Sequence, residues 1–133
     1  DLKKIFEERA LTPVAEMRGP WLGRMLYNSG NNDPRKIGLH RDYHMPRKNI
    51  SKAMELVPGL QEICDENDVE LGVGVPVISS DHEMMRIIYR FKDLKHWGTA
   101  TDAVIANPSF SELVDQANEL GTLKYSRLIM MIK

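Results

Sequence analysis

The stretch IGLHRDYHMP, Ile37 to Pro46, decides how the chain is read. As a helix it would set His40 and His44 on one face at the spacing of a two-histidine metal site. Three features argue for a strand instead. Gly38 is a poor helix residue, Pro46 disfavours helical geometry at Met45, and the apolar residues split with a period of two. Leu39, Arg41 and Tyr43 then share one face, and His40, Asp42 and His44 line the other. Same-face residues on a strand lie about 6.5–7 Å apart at i,i+2 and about 13 Å at i,i+4, so these two histidines cannot hold one ion. Neither a metal nor a cofactor is expected.

Outward from this strand, the pattern after Asn49 turns helical. Ile50, Ala53, Met54, Val57, Leu60, Ile63 and Cys64 recur at three-and-four spacing up to Asn67, with an interruption expected at Pro58-Gly59. Two strands follow, VELGVGVPVIS and EMMRIIYRF, joined by the polar turn SDH as a hairpin. Pro76 marks an edge or bulged position. Asp93 can cap a helix carrying Leu94, Trp97, Ala100, Val104 and Ile105, which Asn107-Pro108 then breaks. Ser109 to Glu112 forms a capping box for a second helical piece, Gly121 is its natural stop, and LKYSRLIMMI closes the chain as a strand. On the N-terminal side, residues 1–20 read as a polar, partly amphipathic helix. WLGRMLYN, from Trp21 to Asn28, reads as a strand that could pair with Ile37 to Met45 across a turn-rich loop.

Composition bounds the class. The chain has 133 residues, 42% of them hydrophobic, enough for one domain with a real core. A net charge of -1, from 18 basic and 19 acidic residues, leaves no broad footprint for nucleic acid or an anionic membrane. No apolar run approaches the roughly 20 residues of a spanning helix, and no signal-peptide h-region is present. The single cysteine, Cys64, cannot form an internal disulfide, so a reducing, cytoplasmic setting is expected.

From Ile37 the element order is strand, helix, strand, strand, helix, strand, the ferredoxin-like split βαβ arrangement with one four-stranded antiparallel sheet. This α+β domain spans 37–133, and residues 1–36 form an N-terminal helix and strand extension packing on it. Helices can cover only one face of such a sheet, and the strands carry apolar residues on both, so a homodimer through the sheet is expected. HRDYHMPRKNISKAMEL resembles the first strand and helix of NIPSNAP-like proteins. YRFKDLKHWGTATDAVIANPSFSELVDQANE resembles the aromatic-rich strand, split helix and P-x-F element of antibiotic-biosynthesis monooxygenases and small polyketide cyclases. The resemblance is thus to the dimeric α/β-barrel superfamily. It implies a small-molecule cavity between sheet and helices, and an activity among cofactor-free monooxygenases, cyclases, isomerases and haem enzymes. Haem-degrading members place a ligand histidine four residues after a phenylalanine resembling Phe110. This chain has Val114 there, which disfavours haem.

Several groups could carry chemistry. His40 and Asp42 are same-face neighbours, so the carboxylate could orient the imidazole as a general base. Arg86 shares a strand face with Arg90, opposite the apolar row Met85, Ile87, Tyr89 and Phe91, and could hold an enolate or carboxylate. Tyr125, on the last strand, could stabilise the same charge or hydrogen-bond within the core. His44, Tyr89, His96 and Trp97 are the candidate substrate contacts. Gly72 and Gly74 lie inside a strand and do not make a nucleotide loop, and Cys64 falls on an apolar stripe as a buried, inert thiol. The expected function is cofactor-independent proton abstraction from an apolar, aromatic or polyketide-like substrate. The alternative is a non-catalytic ligand-binding or assembly module. An enclosed cavity of a few hundred Å³ lined by His40 or Arg86 would favour the enzyme, and a filled core would favour the module.

Overall fold

The computed structural model describes residues 22–28, 35–78 and 81–130. Five strands make one antiparallel sheet: β1 (Leu22–Asn28), β2 (Ile37–His44), β3 (Glu70–Ile78), β4 (Met84–Phe91) and β5 (Thr122–Met130), in the order β1-β3-β4-β2-β5. The last four strands are the expected ferredoxin-like sheet. After a 3-10 turn at Arg47–Asn49 come helices α1 (Ile50–Met54) and α2 (Val57–Glu66), with α3 (Leu94–Ile105) and α4 (Pro108–Leu120) in the second half. Among the described residues no helix is long and apolar enough to cross a membrane. The helix expected over residues 1–20 lies outside the described residues.

Three local expectations are corrected. The strand after Trp21 does not pair with β2, because β4 and β5 occupy both edges of β2; it adds to the free edge of β3 instead, with Tyr27 opposite Val73. The extension therefore supplies a fifth strand. Pro58 does not interrupt a helix but starts one: the break falls at Glu55 and Leu56, and Pro58 sits in the first turn of α2, where a missing N–H costs nothing. Likewise α4 begins at Pro108, capped by the Asn107 side chain, which accepts from the Ser109 N–H at 2.9 Å, so the box starting at Ser109 is not the cap. Asp93 does cap α3, accepting from the His96 N–H. Pro76 lies inside the sheet beside a bulge, where the pairing of β1 skips Val77.

The helices cover the sheet face that carries Leu39, Tyr43, Met45, Met85, Ile87, Tyr89 and Phe91, so the apolar row of β4 is core as the alternation requires. Leu71 and Val73 of β3 are completely buried, each contributing about 1.5–3 kcal/mol. Cys64 is buried on the core side of α2, its thiol pushed up to about 12 by burial and then by Asp65.

Gly121, between α4 and β5, has an extended backbone that any residue could adopt (φ −155°). Space is what demands glycine: a Cβ there would lie 2.5 Å from the His44 carbonyl oxygen and 2.9 Å from the Met45 methyl. Gly121→Ala should therefore cost about 1–3 kcal/mol by forcing β2 and β5 apart. Denaturant unfolding measures this, and an unchanged midpoint would show that the junction yields freely.

Candidate functional site

The alternation of β2 separates two chemistries. On the side away from the helices stand His40, Asp42, Arg86 and Arg127. Asp42 is 2% exposed and Arg86 7%, and the two face one another across β2 and β4. Arg86 Nε donates to one carboxylate oxygen at 2.7 Å and Nη2 to the other at 3.0 Å, a bidentate pair. Arg127, half-exposed on β5, stands 3.9 Å from the same carboxylate. Breaking a pair buried this deeply by removing one partner costs about 3–5 kcal/mol.

The expected hydrogen bond between His40 and Asp42 is not formed. Both carboxylate oxygens are turned to Arg86, which reaches them directly across the strands, whereas His40 is two residues along the same strand. His40 Nδ1 is buried with no partner. Burial, then the charges of Arg86 and Arg127, push its pKa down from 6.5 to about 4 against the opposing pull of Asp42. The imidazole is neutral at pH 7. Tyr125 lies opposite Asp42 on β5, 48% exposed, and His44 lies on the same face near the strand end.

On the helix side a cavity of about 70 Å³ lies between the sheet and helices α1, α2 and α4. Tyr43 and Met45 of β2, and Met85, Ile87 and Tyr89 of β4, form its floor. Val57, Leu60, Leu113 and Val114 are among its helical walls. Neither His40 nor Arg86 lines it. Of the expected site residues only Tyr89 does, and burial, with lesser contributions from Cys64 and Tyr43, raises its phenol above the usual value, so it stays a hydrogen-bond donor. Tyr43 was legible only as a same-face neighbour of Arg41, and its place in the cavity comes from the helices packed over it. Haem does not fit this cavity, which is far smaller than the macrocycle, and Val114 offers no ligand atom.

His96 and Trp97 are not at the cavity. The His96 Nδ1 accepts from the Lys92 N–H at 3.0 Å, so its Nε2 carries the proton and donates to the Asn67 carbonyl at 2.8 Å. The ring, stacked edge-on to Phe91, clasps the end of α2 to the start of α3. Next to it Asp68 sits at φ 56°, tied by Arg35 and by an ion pair with Lys92; those bonds, Lys92 first, lower its carboxyl pKa. Trp97 packs against the core with its indole N–H buried and unpartnered.

The neutral imidazole has a stability consequence. Because the folded state lowers the pKa of His40, the unfolded chain binds more protons between pH 6.5 and about 4. The contribution of His40 is therefore full above pH 6.5 and is lost as pH falls toward 4. Unfolding midpoints measured across pH 4–7 should fall less steeply in His40→Asn than in the natural chain. Equal slopes would show that His40 titrates normally.

No protein-family description and no curated protein matches the chain. Solved structures do. A NIPSNAP domain protein from Burkholderia xenovorans superposes with a TM-score of 0.58 at 11% identity, over 73% of this chain and 93% of that one. A heme-degrading enzyme from Listeria monocytogenes superposes with a TM-score of 0.58 at 10% identity, over 86% of this chain and 73% of that one. At such identities the likeness is one of fold. The chain shares the ferredoxin-like fold of these proteins.

Proposed function

We propose that the protein binds a small apolar molecule, aromatic or polyketide-like, between its sheet and helices, with an oxygen of that molecule against Tyr43 and Tyr89. The observation that carries this is the composition of the cavity wall: apolar on all sides except for two tyrosines, with no imidazole or carboxylate. At about 70 Å³ the space is below the few hundred Å³ of a typical ligand site, and Met45 and Met85 are the walls able to reshape around an entering ring. A cavity without a base favours binding over proton abstraction at this place.

Proton transfer, as a second activity, belongs to the other face. It is favoured by one observation, the buried and unpartnered Nδ1 of His40 beside the anchored Arg86. There the neutral imidazole would take a proton from an activated carbon, and the resulting enolate would face Arg86 and Tyr125. We propose that a second copy of the chain covers this face, where Met25, Tyr125 and Ile129 are 38–48% exposed.

Two measurements test these statements. Titration with a panel of aromatic polyketide intermediates should show binding that Tyr89→Phe weakens, since it removes only a hydroxyl. If cofactor-free turnover accompanies binding, His40→Ala should lower it about 10²–10⁴-fold; turnover that survives in His40→Ala ends the claim for that histidine. Light scattering at micromolar concentration should return a dimer, and a monomer mass would remove the covering copy.

A further inference from the structure

Resting on the placement of a ligand in the sheet–helix cavity, we infer that Arg41 recognises an anionic group at the end of that cavity, so that the ligand is an apolar carboxylic acid. Arg41 shares the helix-side face of β2 with Tyr43. Its register partner on β4 is Ile87, a cavity wall, and Tyr89 is the diagonal neighbour, at the 7–8 Å spacing a long side chain spans (roughly). The Arg41 charge is felt at the Tyr89 hydroxyl, where it opposes the effect of burial.

Two arginines with largely buried side chains are paired with carboxylates: Arg35 with Asp68 and Glu70, and Arg86 with Asp42. Arg41 differs. Its Nε, like that of Arg35, is buried without a hydrogen-bond partner, but among the described residues it has no carboxylate within ion-pair distance, whereas the Nε of Arg35 faces Glu70 at 3.4 Å. A guanidinium N–H left dry in this way is costly, and the group that satisfies it best is a planar carboxylate taken by two parallel N–H bonds. The phenols of Tyr43 and Tyr89, both in the cavity wall, would donate to the same anion. The apolar body of the acid would then lie along Met85 and Ile87 toward Leu113 and Val114. Arg41 would set specificity for the acid over its neutral counterparts, a different role from the wall residues, which accept any apolar body.

The test uses two fluorescent probes, 2-naphthoate and the neutral 2-naphthylmethanol, titrated into the full chain. The acid should bind more tightly. Arg41→Gln should weaken the acid about tenfold to hundredfold, the range of a charge-assisted hydrogen bond, and leave the alcohol unchanged. Arg41→Lys, which keeps the charge and loses the fork, should fall between, and it carries the comparison should Arg41→Gln prove unfolded by circular dichroism. Val114→Phe, which fills the cavity, should weaken both probes. Equal affinity for acid and alcohol, unmoved by either Arg41 variant, would overturn the inference while leaving the cavity as a binding site. Acid binding that survives Val114→Phe would place the anion outside the cavity and overturn it too. Binding of neither probe would remove the cavity reading, and the role of Arg41 with it.

Discussion

The bidentate contact between Asp42 and Arg86 sets the register on which the rest of the molecule depends. The two residues are direct partners across β2 and β4, buried on the face without helices. Because strand side chains alternate, a slip of one residue would carry Arg86 under the helices and push Met85 and Phe91 out of the core. With the pair in place, Tyr43, Met45, Ile87 and Tyr89 all point toward α2 and α4, and the cavity between them follows. A buried ion pair adds little net stability over an apolar pair of the same shape. Its contribution is to make one register much better than its neighbours.

The fold was largely legible because its signals are local. Alternation in β2 and β4, three-and-four spacing in α2, the Asp93 cap and the stop at Gly121 each depend on residues a few positions apart, and each appears where the pattern placed it. Errors arose where two local signals competed. Pro58 can break a helix or open one, and only the preceding turn at Glu55 and Leu56 decides between them. Asn107 and Ser109 can both cap, and Pro108 at the first helical position selects the former.

The candidate site was less legible, since it depends on contacts between distant segments. Asp42 has a same-strand neighbour in His40 and a cross-strand partner in Arg86, separated from it by 44 positions, and the second wins because it presents two donors in the carboxylate plane. His96 looked like a cavity-mouth residue by position; both of its ring nitrogens are engaged by backbone groups, one of them at Asn67, on the far side of the hairpin in sequence. Tyr43 and Arg41 carried no motif at all. Their interest comes from which face the helices cover, a property of the assembled sheet.

The strand order has a kinetic side. Only β3 and β4 are sequence neighbours joined as a hairpin; β1 must find β3, and β2 must find both β4 and β5, with Tyr43 meeting Leu123 across most of the chain. Topologies dominated by such distant pairings close costly loops before gaining contacts, and fold on the order of milliseconds to seconds. During synthesis from the N-terminus, β2 is made before either of its partners exists. Its adjacent charged residues, Arg41 on one face and Asp42 on the other, keep that waiting strand from being a uniformly apolar edge. The polarity that specifies the register thus also protects the nascent chain from pairing with the wrong strand.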